Sequence, residues 1–216
     1  MSLRKVNFVK GEYYHLYNRG NSKQIIFQDD FDYQYFVKLL YISNSLVQFK
    51  IKNSPKNIFL VNNGEQIVSI GAYCLMPNHF HILITPIEEN GISKFMQKLT
   101  TGYSMYYNIK YKRSGSLFEG KFKSQYVGDD RYLKYLFSYI HLNPVKLIQK
   151  YWKETGIKDK IKILNFLRKY KYSSYLDYLG KEREEKIVLK KGSFPDYFPV
   201  KEKFQKEILE WISYNQ

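Results

Sequence analysis

Two strong β signals stand almost back to back in this chain, and they constrain its fold more than any other feature. Ile67-Val68-Ser69-Ile70-Gly71-Ala72-Tyr73-Cys74-Leu75 and His79-Phe80-His81-Ile82-Leu83-Ile84-Thr85 are rich in β-branched and aromatic residues, with only Met76-Pro77-Asn78 between them. Segments this close pair by folding back, so the spacing predicts an antiparallel hairpin. A lone hairpin is marginal in water, so further strands and a layer of helices must join it. Tyr13 to Tyr17 reads as a first strand, closed by the turn signal Asn18-Arg19-Gly20. Asp29-Asp30 opens a helix carrying Phe31, Tyr35, Phe36, Leu39 and Leu40 at helical spacing, to about Ser43. A second helix is expected from about Ile92 to Ile109, with Phe95, Met96, Leu99 and Tyr103 on one stripe. Gly115 to Val127 reads as irregular or weakly β. Asp129-Asp130 opens a third helix that should stop near Asn143, because Pro144 restricts its predecessor.

This order predicts an α+β fold, an antiparallel sheet with helices packed on one face. Asn44 to Gly64 is polar, broken by Asn53-Ser54-Pro55 and Asn62-Asn63-Gly64, with a short strand expected at Ile58 to Val61. The main domain is placed at residues 8–150. Residues 151–216 form a basic helical extension, with short helices at about Ile161–Tyr170 and Ser173–Leu179 and a solvated Glu/Lys tail from Lys181.

Length and composition narrow the class. At 216 residues the chain suits one domain with appendages. No apolar run approaches the ~18 residues of a membrane helix, and Met1-Ser2-Leu3-Arg4-Lys5 is not followed by an apolar stretch, so neither a membrane protein nor a secretory signal is expected. The single cysteine, Cys74, excludes a disulfide framework and a multi-cysteine zinc site, which fits a reducing, cytoplasmic setting. Net charge is +15 and aromatic content 18%, with 22 Tyr and 15 Phe. Of that charge, +10 falls between Thr101 and Gly180. A basic surface attracts polyanions and aromatic faces stack on unpaired bases, so nucleic acid is the favoured partner.

Four histidines are available: His15, His79, His81 and His141. His79 and His81 are two apart on a predicted strand, so both imidazoles share a face while Phe80 points away from it. Such a pair is either half of a divalent-metal site or two histidines on an open sheet face. In the third helix Tyr139 and Asn143 are four apart and share a face. They are either a core tyrosine and a helix end, or a nucleophile beside a hard oxygen donor compatible with Mg²⁺ or Mn²⁺. His141, two positions from Tyr139, faces mostly away and is expected to be structural or DNA-facing. His15 either flanks the site or fills the sheet. Arg19, Arg113, Lys121 and Lys123 are expected phosphate contacts, and Tyr111 and Phe118 are candidates for base stacking or for the core.

Met76-Pro77-Asn78-His79-Phe80-His81-Ile82-Leu83 resembles the histidine–hydrophobic–histidine strand of the HUH single-strand endonuclease superfamily. Tyr139-Ile140-His141-Leu142-Asn143-Pro144-Val145-Lys146 resembles the tyrosine helix of its single-tyrosine, IS200-like transposases, REP-associated tyrosine transposases above all. Tyr14-His15-Leu16-Tyr17-Asn18-Arg19-Gly20, Gly115 to Ser124 and Tyr172-Ser173-Ser174-Tyr175 match in the same order. The resemblance spans about Tyr13 to Gly180, with Asn44 to Gly64 as an insertion. It implies a ferredoxin-like or RNA-recognition-like fold, His79 and His81 as metal ligands with Asn143 as a third, and Tyr139 as nucleophile. It also implies cutting and rejoining of single-stranded DNA beside hairpins through a 5′-phosphotyrosine intermediate, by a homodimer or a monomer. The alternatives are a non-catalytic RNA-recognition-like module and a domesticated hairpin-binding protein.

Overall fold

Alternation along the strands decides which side of the sheet each helix covers. The computed structural model describes residues 7–47 and 57–214. The Met1–Lys5 start and the Asn53-Ser54-Pro55 breaker lie outside the described residues. Four strands, β1 (Tyr13–Arg19), β2 (Val68–Met76), β3 (His79–Pro86) and β4 (Lys123–Val127), form one antiparallel sheet in the order β2-β3-β1-β4. Helix α1 (Asp30–Ile42) links β1 to β2 and α2 (Gly91–Lys110) links β3 to β4, which gives the βαββαβ order of a ferredoxin-like fold. The α+β expectation holds, and β2 and β3 form the hairpin read from the sequence.

One face of the sheet presents Leu16, Ile70, Tyr73, Leu75, Phe80, Ile82 and Ile84, and α1 and α2 cover it with Phe36, Leu40, Phe95, Leu99 and Tyr103. In β2 the inward set passes from Val68 and Ile70 to Tyr73 and Leu75. A register shift between Ile70 and Ala72 makes this possible. One extra residue in a strand exchanges the faces of everything after it. Gly71 occupies that shift, and a Cβ there would lie 2.8 Å from the ring of Phe194.

The expectation of helices on one face alone is corrected. The shift turns Ala72, Cys74 and Met76 to the opposite face, where they pack with Leu133, Leu136, Phe137 and Ile140 of α3 (Asp130–Leu142). Asp129 caps α3 by accepting from the Tyr132 amide, as the Asp-Asp signal implied. The solvated tail is corrected too. After α4 (Trp152–Thr155), α5 (Lys160–Leu167) and α6 (Tyr175–Tyr178), the chain ends in α7 (Lys201–Tyr214). Phe204 and Ile208 of α7 are fully buried against the same core as α3. They recur four residues apart among Glu and Lys, which is an amphipathic pattern. The strand expected at Ile58–Val61 is a 3₁₀ turn over Ile58–Leu60, because Asn57 caps it through the Phe59 amide and Ile58 anchors in the core.

Phe204→Ala should therefore cost about 3–5 kcal/mol of stability, as core aromatic truncations do. Urea unfolding checks this; a loss below 1 kcal/mol would mean that α7 is not part of the core.

Candidate active site

The sheet face under α3 holds the histidines. β3 starts two residues after Pro77, so the hairpin turn sets where His79 and His81 stand. The ring centroids of this pair lie 5.1 Å apart with the planes nearly perpendicular. β1 runs beside β3, with Tyr17 opposite His81 and Arg19 opposite His79. That register brings His15 diagonally against His81, and its Nε2 lies 2.9 Å from His81 Nδ1. His79 Nδ1 lies 2.7 Å from Asn78 Oδ1, and the other end of that amide donates to the Lys23 carbonyl at 3.2 Å.

Tyr139 comes from α3, remote in sequence. Its ring stands edge-on to His81 at 5.5 Å and to His15 at 6.0 Å. Lys153 Nζ of α4 sits 4.1 Å from its ring centroid, a cation–π contact. His79, His81, Tyr139, Lys123 and Lys146 line a cavity of about 380 Å³. On the other side of Tyr139 a hollow of about 330 Å³ is walled by His15, Tyr17, Tyr132 and Tyr135.

Burial governs the imidazoles. It pushes His15 down to about 4 and His79 to about 4, where Lys146 and Arg19 add repulsion. His81 is held well below the ordinary histidine range, by burial first and then by His15, His79, Lys146 and Lys153. All three rings are therefore neutral at pH 7, the form in which imidazole can donate a lone pair to a metal. Among the described residues, no group of three or more His, Cys, Asp or Glu is placed to hold a metal ion. A cation bound by the histidine pair would need a ligand of another kind. Asn143, at the end of α3, is the candidate the sequence offered, although it does not line the cavity. Its Nδ2 donates to the Tyr139 carbonyl at 3.1 Å, which fixes the amide orientation, and its Oδ1 is buried without a partner. Neutral imidazole nitrogens and an unpartnered amide oxygen are donor atoms of kinds that divalent cations take.

The structure brings together His79, His81, Tyr139, Arg19 and Lys123. Arg19, however, is held in a two-pronged ion pair with Glu119, with Nη2 donating to Oε1 at 2.9 Å and Nε to Oε2. It still lines the cavity beside Lys123. Lys121 lies in the neighbouring groove along α2, which meets the histidine cavity at Asn18. Arg113 stays away from both, 5.7 Å from the Tyr107 ring. Tyr111 donates to Asp32 at 2.8 Å and Phe118 is buried against Phe80, so both serve the core. His141 is structural, fully buried with Nε2 2.7 Å from Ser174 Oγ. The sequence reading missed Lys146, Lys153, Glu119 and Asn78. Lys146 was visible in the Asn-Pro-Val-Lys motif, but nothing local marks Lys153.

The site is thus a ferredoxin-like sheet with an imidazole pair on one face, met by Tyr139 from α3. The model of the IS200-like transposase family matches residues 9–143. The chain belongs to that family. Among solved structures it is similar to a REP-associated tyrosine transposase bound to a REP hairpin, at 13% identity and a TM-score of 0.53. That match covers 86% of this chain and 90% of the other. No curated protein matches. No helix among the described residues is long and apolar enough to cross a membrane.

The buried imidazoles predict a pH dependence. Their unfolded values near 6.5 exceed the folded values near 4, so the unfolded chain binds more protons between the two. Their contribution is complete above about pH 6.5 and is lost as pH falls toward 4. Urea midpoints of the metal-free chain should fall across that window; a flat midpoint down to pH 5 would contradict it.

Proposed function

We propose that this chain is a metal-dependent endonuclease and strand transferase acting on single-stranded DNA. In this reading it cuts and rejoins the strand beside a hairpin through a 5′-phosphotyrosine intermediate. The observation that carries the reading is the Tyr139 ring set edge-on against the neutral His81 at the mouth of a lysine-lined cavity. Family membership and the likeness to a hairpin-bound transposase support DNA as the partner.

His79, His81 and Asn143 would hold a divalent cation, Mg²⁺ or Mn²⁺. When bound, it supplies Lewis-acid polarisation of a phosphate oxygen. Lys146 and Lys123 add positive charge along the cavity and hold the phosphodiester against Tyr139. The Tyr139 oxygen attacks phosphorus and gives up its proton. The bond from phosphorus to the 3′ oxygen breaks, and that oxygen leaves as a hydroxyl. The new phosphotyrosine ester keeps the 5′ end on the protein, so a second 3′-hydroxyl can reverse the step and join a different strand. Lys153 keeps the Tyr139 ring in place from its face. Tyr17, Tyr132 and Tyr135 offer rings to unpaired bases beside the site, a role for which Tyr111 and Phe118 were only candidates. The Tyr139 ring packs on His81 of its own chain, which favours a site completed within a monomer. The reading keeps the cytoplasmic setting expected from the sequence.

Tyr139→Phe should abolish the covalent band that labelled hairpin-flanked single strands give on a denaturing gel with Mn²⁺. Folding and binding should be left intact. His79→Ala or His81→Ala should remove the band as chelator does. A band that survives in the Phe variant would assign another nucleophile, and a band that survives chelator would remove the metal. Binding without any band in the unsubstituted chain would leave a non-catalytic hairpin-binding protein.

A further inference from the structure

The two ligand histidines of the proposed site are each engaged at the same ring atom, and by different elements. His79 Nδ1 faces Asn78 Oδ1 at 2.7 Å. The Asn78 amide has one orientation, because its Nδ2 donates to the Lys23 carbonyl at 3.2 Å. A carbonyl oxygen only accepts, so the proton between Asn78 and His79 sits on His79 Nδ1. The lone pair of that ring is then on Nε2. His81 Nδ1 faces His15 Nε2 at 2.9 Å, both rings being buried. One proton lies between two nitrogens, and two arrangements exist. With the proton on His15, His81 carries its own hydrogen on Nε2 and cannot ligate through that atom. With the proton on His81 Nδ1, His81 Nε2 is a free lone pair, matching His79.

We propose that Asn78 and His15 are positioning residues that hold His79 and His81 in the Nδ1–H form, so that both Nε2 atoms face one cation. This rests on the metal reading given above. Asn78 belongs to the hairpin turn and His15 to β1. The two supports are therefore independent, and each sets one ring. His15 is not a ligand in this arrangement, since the nitrogen it aims at the pair is taken by His81. The turn residue Asn78 gains a role beyond the turn itself: an alanine there would leave the strand register intact and the His79 ring free to rotate. Outer partners of this kind fix tautomer and ring direction, and losing one typically weakens metal affinity 10–100-fold.

The test uses the full chain and Mn²⁺ alone, with no DNA. Nitrogen-15 NMR of the imidazoles in the metal-free protein reads the tautomers, and calorimetric titration reads Mn²⁺ affinity. Both histidines of the pair should be Nδ1–H in the unsubstituted chain. His15→Leu should release His81 from that form while leaving His79 in it, and weaken Mn²⁺ binding about 10–100-fold. His15→Gln, which restores an acceptor, should recover most of the affinity. Asn78→Ala should act on His79 and spare His81. Circular dichroism and urea midpoints identify any variant that fails to fold; the tautomers of the unsubstituted chain then decide the question. Nε2–H on either ring of that chain, or unchanged Mn²⁺ affinity in a folded His15→Leu variant, overturns the inference. If the unsubstituted chain shows Nδ1–H on both rings and yet takes up no Mn²⁺, the metal reading has failed rather than the assignment of the tautomers.

Discussion

Side chains two apart on a strand share a face, and the candidate site depends on that rule being applied to β3. Phe80, Ile82 and Ile84 go into the core under α1 and α2, which pins the register. His79 and His81 are thereby driven to the other face together. A slip of one residue would bury the imidazoles among apolar side chains and expose the phenylalanine, so the site inherits its precision from the core. On the opposite face the irregularity at Gly71 adds Ala72, Cys74 and Met76 to Leu83 as an apolar seat for a helix. These side chains seat α3 closely enough for Tyr139 to reach His81.

The site is held together at a cost to stability. Three neutral imidazoles are taken largely out of water, and Asn143 keeps a buried oxygen without a partner. An unmet buried acceptor costs about 1–3 kcal/mol. The apolar contacts of α3 and α7 offset such losses, with Ile140, Phe204 and Ile208 fully buried. On this view the C-terminal extension supports the site by fixing the helix that carries Tyr139, although it lies beyond the segment that matches the family model.

Much of this could be read from residues alone, where the signal was local. The Met76-Pro77-Asn78 turn, the His-x-His alternation, the Asp129 cap and the spacing of Tyr139 and Asn143 are all short-range patterns. The misreadings concern pairings that no local pattern carries. His15 was left between two roles because its contact with His81 depends on the register of β1 against β3, strands more than 60 residues apart. The pairing of Arg19 with Glu119, a hundred residues on, has no local signal either. The second helical layer followed from one strand irregularity that a hydrophobic pattern does not announce. The tail was misread because its Glu and Lys outnumber the few buried positions of α7. Tyr111 was left between base stacking and the core because a partly buried tyrosine bonded to Asp32 looks, in sequence, like any exposed ring.

At the centre of the proposed function is the convergence of two imidazoles and a phenol, from remote parts of the chain, on one divalent cation. Anomalous diffraction from Mn²⁺-soaked crystals tests it most directly. A single peak within bonding distance of His79, His81 and the Asn143 amide oxygen, and beside the Tyr139 hydroxyl, is the result predicted. A peak held by other side chains, or none at saturating Mn²⁺, would contradict it.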